Sequence, residues 1–172
     1  YYQVSGDREF LASYGAEMIV EIARFWSSLA VYNSSEKRYE IEGVMGPDEY
    51  HDAYPQSKEP GLKNNAYTNI MVVFVLNKAV EMKKILSPIR FSELREKLHI
   101  EDAEMQRWDE IRHRMKIPFH DGDIISQFEG YEALKELDWD AYRKKYDNIQ
   151  RLDRILEAEG DSANRYKVSK QA

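Results

Sequence analysis

The chain has 172 residues, of which 42% are hydrophobic and 33% are charged, a balance typical of a soluble domain with a sizeable core. A formal net charge of −6 disfavours a duplex nucleic-acid binder, which would carry a basic face. The chain contains no cysteine, which excludes disulfides and thiolate chemistry, and its longest apolar run, residues 70–76, is far too short to span a membrane.

Both ends of the chain indicate a piece of a longer protein. It begins with Tyr1 rather than methionine, without the pattern of a signal peptide, and it ends at Ala172. We therefore expect residues 1–172 to be a single fragment of a larger catalytic domain. Without cysteine or a signal peptide, we expect a cytoplasmic protein with no membrane or nucleic-acid partner.

Apolar residues spaced by three and four predict most of the helices. Residues 7–32 and 63–86 are apolar on most of their circumference, so we expect these two helices to be buried on most sides. Residues 101–116 have the pattern of an amphipathic helix, and shorter helices are predicted at 139–146 and 149–159.

Short β elements and one long loop are predicted between these helices. Alternation predicts strands at residues 37–44 and 124–131, whereas residues 45–62 contain three prolines and are predicted to be loop. A loop of this length is more often functional than idle. The sequence thus predicts a mostly α fold, a helical toroid with short β elements at its mouth.

The long loop contains two adjacent acids, Asp48 and Glu49, within the stretch GPDEYH. A general acid has to be held rigidly, and aromatic neighbours or an adjacent acid raise a carboxyl pKa toward the working pH. Pro47 fixes one backbone torsion at this point. The alternative is a plain turn, in which Asp48 accepts a backbone hydrogen bond and Glu49 is solvated.

Five blocks of the sequence resemble glycoside hydrolase family 65. GVMGPDEYH (43–51) and NNAYTN (64–69) resemble its catalytic signature. Residues 6–28, ISQFEGY (125–131) and YKVSKQA (166–172) resemble further blocks in the same order. The family includes inverting phosphorylases that act on maltose, kojibiose, trehalose or nigerose.

The resemblance implies a fold, a reaction and site residues. The fold is an (α/α)₆ barrel, of which this chain would be a part. Glu49 matches the general acid, and Lys170 and Gln171 match a pair that contacts substrate. The implied reaction is phosphorolysis of an α-linked glucose disaccharide to β-glucose 1-phosphate and a sugar. An inverting hydrolase needs a second carboxylate to activate water, whereas phosphate is already an anion and needs one acid.

The ligands and partners follow from the same resemblance. We expect a disaccharide and inorganic phosphate as substrates, no cofactor and no metal, and a homo-oligomeric parent enzyme. The phosphate-binding residues would lie beyond the end of this chain, so the isolated chain is expected to be inactive. We expect it to leave apolar residues uncovered, such as Ile19, Val20, Val72 and Phe74.

Further residues are secondary candidates for the sugar site: Asp48, Tyr50, His51, Asn65 and Glu129. For Asp48 the favoured alternative is support of the loop, and for the two aromatic residues it is packing beneath the loop. Asn65 precedes a predicted helix, where asparagine commonly caps. By themselves, Lys170 and Gln171 are also compatible with an ordinary solvated surface.

Other patterns carry weaker hypotheses. Residues 120–123, HDGD, offer metal ligands but lack the rest of a calcium loop, so a turn before a strand is favoured. Residues 142–146 interleave bases with tyrosines, which in an acidic chain favours a helix with a solvated face. Two alternative functions remain for the whole: a hydrolase of the same family, such as a trehalase, or a non-catalytic helical scaffold.

Overall fold

The computed structural model of the chain describes residues 1–47 and 50–168. The chain divides into two compact units, each made of two separate stretches. Unit 1 consists of residues 1–40 and 69–116, and unit 2 contains the remaining residues. Among the described residues, no helix is both long enough and apolar enough to cross a membrane.

Unit 1 is built from helices and one β-hairpin. The helices are α1 (Tyr2–Ser5), α2 (Arg8–Phe10), α3 (Ala16–Leu29), most of α4 (Ala66–Ile85), α5 (Pro88–Leu98) and α6 (Asp102–Arg114). A π-helical turn, Leu11–Gly15, joins α2 to α3. Strand β1 (Val31–Asn33) pairs antiparallel with β2 (Arg38–Glu40). The fold of the chain is therefore mostly helical, as predicted.

Helix α5 was missed by the periodicity argument, although its ends carry clear signals. Ser87 caps its first turn by accepting a hydrogen bond from the Arg90 amide at 3.2 Å, and Pro88 occupies the first helical position. At the other end, His99 has a left-handed φ of 51°, which stops the helix.

The two long helices are each buried on one face only, which corrects the prediction that they are buried on most sides. Val20 of α3 and Val72 of α4 are core residues, 1% exposed each, so the expectation that they face solvent is wrong. Phe25 of α3 and Phe74 of α4 are 57% and 44% exposed. Both faces of these helices are apolar, so periodicity alone cannot tell which face is covered.

Unit 2 contains the long loop, a second hairpin and two short helices. The hairpin pairs β3 (Phe119–His120) with β4 (Ile124–Ile125), and the helices are α7 (Trp139–Lys145) and α8 (Leu152–Ala158). The strand predicted over residues 124–131 is wrong beyond Ile125, because the chain turns at Gly130, with φ of 87°, into the 3₁₀ turn Tyr131–Ala133. The described residues of the predicted loop, 45–47 and 50–62, form no helix or strand.

Two apolar clusters form the core of unit 2. The Tyr50 cluster comprises Tyr50, Leu137, Leu152, Leu156, Ala163 and Val168. The Phe128 cluster comprises Leu62, Phe128 and Leu134, with Tyr54 and Tyr131 packed against it. Residues that flank the predicted site segments are thus part of the core.

Glu159 ties helix α7 to the end of α8. The Tyr142 and Tyr146 hydroxyls each donate to its carboxylate at 2.6 Å, and Lys145 donates a third hydrogen bond. The hydrogen bond from Lys145, followed by those from the two tyrosines, lowers the pKa of Glu159 to about 2. The same contact raises the pKa of Tyr142.

Replacing Glu159 by Gln should lower the Tm of the chain at pH 7, with a penalty that shrinks in acid. The pKa of Glu159 is depressed on folding, from an ordinary value of 4.5 to about 2. Its contribution is therefore complete above pH 4.5 and is lost as the pH falls toward 2. The measurement is a comparison of Tm between pH 7 and pH 2.5.

The matched control is Glu157→Gln on α8, which should leave Tm unchanged at both pH values. Glu157 is exposed and forms no ion pair within the part of the chain that the structure describes. A Tm difference between wild type and Glu159→Gln that stays constant down to pH 2.5 would contradict the role assigned to the carboxylate.

Candidate active site

Four predicted site residues, Asp48, Glu49, Lys170 and Gln171, lie outside the described residues. The structure does describe the residues that flank them and the other candidates, all of which belong to unit 2. The structure therefore describes how the residues that flank the predicted site are held in place.

The backbone just before the two acids is packed against the cap of helix α4. Asn65 is buried, and its Oδ1 accepts a hydrogen bond from the Thr68 amide at 3.0 Å, so the capping interpretation is confirmed. Gly46 lies so close to this side chain that a Cβ at position 46 would be 2.2 Å from Asn65 Nδ2. Any side chain there would displace the capping amide, which explains the glycine before Pro47.

The base of the loop is closed by the backbone and by one buried asparagine. The Asn64 amide donates to the Ile41 carbonyl at 2.8 Å, and the Ile41 amide donates back to Asn64 Oδ1 at 3.2 Å. Val44 and Leu62 form a β-bridge beside them. Asn64 has a left-handed φ of 51°, a conformation that asparagine adopts more easily than most residues. These bonds hold residues 41 and 64 together across the loop.

Glu129 reaches this closure from the QFEGY segment. Its Oε2 accepts a hydrogen bond from Asn64 Nδ2 at 2.8 Å, and its backbone amide donates to the Lys63 carbonyl at 3.1 Å. Its Oε1 lies 3.8 Å from Lys63 Nζ, which is also 3.2 Å from Glu42. The carboxylate thus supports the loop. Its predicted contact with sugar stays a prediction.

Tyr54 and Asn164 are supports that the sequence analysis missed. The Tyr54 hydroxyl donates to the Glu129 carbonyl at 2.8 Å and accepts from the Lys63 amide at 3.2 Å, and burial is the main cause that raises its pKa. Asn164 Oδ1 accepts from the Asp52 amide at 3.1 Å, while its Nδ2 donates to the Asp52 carboxylate at 2.7 Å. For Tyr54, the signal available in the sequence was a tyrosine directly before Pro55 inside a long loop.

His51 and Tyr50 are buried beneath the loop. His51 is 1% exposed, and its Nε2 lies 2.9 Å from the Tyr166 carbonyl oxygen, so this nitrogen carries the hydrogen and donates. Its ring centroid is 5.3 Å from that of Phe128. The Tyr50 hydroxyl donates to the Gln150 carbonyl at 3.3 Å. Both side chains pack beneath the loop, which is the packing interpretation given above. A sugar contact from either residue stays a prediction.

The same contacts bring two distant segments together. His51 follows the two acids in the sequence, and Tyr166 precedes the predicted Lys-Gln pair. Tyr50 and Val168 also lie in one apolar cluster. Residue 167 is fixed in turn by a hydrogen bond from its amide to the Lys135 carbonyl at 2.7 Å. The described flanks of both predicted site segments are therefore in direct contact.

The residues behind the two weaker motif hypotheses, 120–123 and 142–146, belong to an ordinary hairpin and to an ordinary helix with its C-cap. Asp121 and Gly122, with φ of 46° and 87°, form the turn of the β3–β4 hairpin, so the turn interpretation is confirmed. Among residues 1–47 and 50–168, no three His, Cys, Asp or Glu side chains are grouped to hold a metal ion. Residues 142–145 lie in helix α7, as predicted.

Comparison with known proteins decides the family. The model of the glycosyl hydrolase family 65 central catalytic domain matches residues 1–172, the whole chain. The chain belongs to glycosyl hydrolase family 65. The resemblance noted in the sequence is thereby confirmed.

Relatives within family 65 are much longer than this chain. An uncharacterized glycosyl hydrolase of Mycobacterium tuberculosis is 56% identical over all 172 residues, which are 13% of its length. Trehalose 6-phosphate phosphorylase of Lactococcus lactis is 37% identical over all 172 residues, or 21% of its length. The solved structure of a candidate kojibiose phosphorylase from the human microbiome superposes on the whole chain, and on 22% of its own, with a TM-score of 0.78 at 21% identity. That last likeness shows the fold.

Replacing Asn64 by Asp tests the closure of the loop. The variant keeps the shape of the side chain but loses the donor to Glu129 and places two carboxylates together. We expect it to lower the free energy of unfolding by about 1–3 kcal/mol at pH 7, as measured by urea denaturation.

A double variant supplies the control. Adding Glu129→Gln to Asn64→Asp restores a donor–acceptor pair at the same place, so most of the lost stability should return. The stability losses of Asn64→Asp and Glu129→Gln are also measured singly. If these two losses simply add in the double variant, the contact between the two side chains does not hold the loop.

Proposed function

We propose that the full-length protein containing this chain cleaves an α-linked glucose disaccharide with inorganic phosphate and inverts the anomeric configuration. The products would be β-glucose 1-phosphate and the second sugar. The observation that carries the proposal is the contact of His51 with Tyr166, which joins the flanks of the acid motif and of the Lys-Gln segment in a family 65 chain. A phosphorylase among the relatives that match the whole chain supports phosphate as the co-substrate.

The chain is proposed to form part of an (α/α)₆ barrel, as one piece of a single catalytic domain. Two observations support this proposal. The chain superposes on part of a much longer family structure. Helices α3 and α4 also carry exposed apolar side chains, which is expected of helices whose neighbours belong to the rest of the protein.

Glu49 is proposed as the general acid. Its proton would pass to the glycosidic oxygen as the bond from the anomeric carbon breaks. A phosphate oxygen would form the new bond to that carbon from the opposite face, and Glu49 would be reprotonated from solvent. Because phosphate is an anion that needs no activation by a base, one carboxylate is sufficient for the reaction.

The surrounding residues divide into supports and contacts. Pro47, the Gly46–Asn65 packing and the closure at Asn64 would hold the acid in place, and Asp48 is proposed to support the loop. Lys170 and Gln171 are proposed to hydrogen-bond sugar hydroxyls through their ammonium and amide groups.

The remaining properties are proposed on family grounds. The reaction would use no cofactor or metal, and the phosphate site would be supplied by the rest of the protein, so the 172-residue chain by itself would be inactive. The parent enzyme is proposed to be a cytoplasmic homo-oligomer.

Glu49→Gln in the full-length protein should reduce phosphorolysis by about 10²–10⁴-fold, because the side chain keeps its shape but has no proton to give. Glucose 1-phosphate formation is the measurement, and disaccharide binding should be nearly unchanged. Asp48→Asn is the matched control and should have the smaller effect. A larger loss in Asp48→Asn than in Glu49→Gln would mean that the acid is the other residue.

Lys170→Ala and Gln171→Ala in the full-length protein should raise the KM for the disaccharide without moving the acidic limb of the pH–rate profile. The reason is that both residues are proposed to contact sugar and not to carry the proton. Initial rates across pH and substrate concentration test this. An unchanged KM with a displaced acidic limb would contradict the assignment.

A further inference from the structure

The side chain of Asn164 joins two stretches of unit 2 that are far apart in the sequence. Asn164 lies in the 3₁₀ turn Ala163–Arg165, whose first residue is buried in the Tyr50 cluster. Its Oδ1 accepts hydrogen bonds from the amides of Asp52 and Ala53, at 3.1 and 3.5 Å, and its Nδ2 donates to Asp52 Oδ1 at 2.7 Å. One side chain thus holds both the backbone and the carboxylate of a residue 112 positions away.

The turn that presents Asn164 is fixed by contacts of its own. The Asp161 carboxylate accepts hydrogen bonds from the Tyr166 hydroxyl at 2.6 Å and from the Arg165 guanidinium at 2.8 Å. The hydrogen bond from Tyr166 is the main cause that lowers the pKa of Asp161. Ser162 Oγ caps the turn by accepting from the Asn164 amide at 3.2 Å. The backbone around Asn164 is therefore held independently of the long loop.

Asp52 connects this anchor to the base of the long loop. Its carbonyl accepts a hydrogen bond from the Gly61 amide at 2.6 Å. Gly61 has a left-handed φ of 103°, and a Cβ at this position would be 2.5 Å from the Gly43 Cα. Such a crossing of two backbones requires glycine. Because Gly43 begins the segment GVMGPDEYH, Asp52 links Asn164 to the backbone from which the acid motif starts.

The bonds of Asn164 lie between the two segments that carry the proposed chemistry. Asp52 comes three positions after Glu49 in the sequence. Asn164 comes six positions before Lys170. The bond from His51 to the carbonyl of residue 166, at 2.9 Å, joins the same two stretches. The pair formed by Asn164 and Asp52 differs from that bond because both partners are side chains, which substitutions can exchange.

We propose that Asn164 is a positioning residue for Glu49, the proposed general acid. Through Asp52, it sets the place of the acid relative to the segment that carries the Lys-Gln pair. Asn164 acts through this contact and not by touching sugar. The inference rests on the phosphorylase function proposed above. Because a displacement of about 1 Å can slow catalysis by about 10²-fold, the effect of losing the contact should fall on kcat.

The test measures phosphorolysis by the full-length protein, at a temperature where circular dichroism shows every variant to be folded. The substrate is whichever of maltose, kojibiose, trehalose, nigerose and trehalose 6-phosphate the wild type cleaves fastest. Asn164→Ala should lower kcat by about 10- to 100-fold and change KM by less than about threefold. This result is the opposite of that expected for Lys170→Ala, in which KM rises.

Exchanging the two side chains separates positioning from a general loss of stability. Asn164→Asp places two carboxylates together and should lower kcat at least as much as Asn164→Ala. Adding Asp52→Asn supplies a new donor and keeps an acceptor for the backbone amides, so most of the lost kcat should return in the double variant. Asp52→Asn alone should have a small effect, because its amide oxygen can still accept from Asn164 Nδ2.

Asn148→Ala is the matched control and should keep the wild-type kcat. Asn148 Oδ1 also accepts from a backbone amide, but that amide belongs to Gln150 in the same segment, at 2.8 Å. A lower Tm with unchanged kcat in Asn164→Ala would overturn the inference and leave the phosphorylase function intact. A double variant no more active than Asn164→Asp would do the same, as would a raised KM with unchanged kcat in Asn164→Ala.

The wild type decides the proposed function separately. Release of glucose without any need for phosphate would overturn the phosphorylase function alone, and kcat for hydrolysis would then test Asn164 with the same variants and the same expected losses. A wild type that cleaves none of the five disaccharides, with or without phosphate, would overturn the proposed function and the role of Asn164 together.

Discussion

One buried amide closes the loop on which the proposed chemistry depends. The Asn64 side chain is fully buried, accepts a hydrogen bond from the backbone of Ile41 and donates one to Glu129. An unsatisfied polar group at this buried place would cost as much free energy as the contacts around it contribute. Ile41, Asn64 and Glu129 therefore have to be present together. With the ends of the loop fixed in this way, Gly46 packs against Asn65 shortly before the two acids in the sequence.

A second constraint joins residues that are a hundred or more positions apart. His51 donates to the Tyr166 carbonyl, Tyr50 donates to the Gln150 carbonyl, and Asn164 holds the backbone of Asp52. All three bonds link the stretch after the acids to the segment from residue 150 to residue 168. Bonds at this place suit the proposed function, in which the loop has to hold a proton donor at a fixed distance from a sugar.

The sequence predicted local features well and long-range ones poorly. Asn65 as a helix cap and the turn at residues 121–122 follow from local backbone chemistry, and both are confirmed. The covered face of α3 could not be predicted, because both of its faces are apolar and burial depends on neighbours distant in the sequence. The strand predicted through Glu129 failed for a similar reason: the turn at Gly130 and the bond to Asn64 outweigh the local alternation. The support given by Tyr54 depends on contacts that no linear spacing encodes. Ser87 and Pro88, by contrast, are local signals for α5 that the sequence analysis did not use.

In the proposed reaction, a single acid and inorganic phosphate replace the two carboxylates of an inverting hydrolase. The most direct measurement is to incubate the full-length protein with α-linked glucose disaccharides and their 6-phosphates, with and without inorganic phosphate, and to identify the products by NMR. We expect glucose 1-phosphate to appear as the β anomer, only when phosphate is present and in step with the consumption of phosphate. Free glucose released at the same rate without phosphate would contradict it.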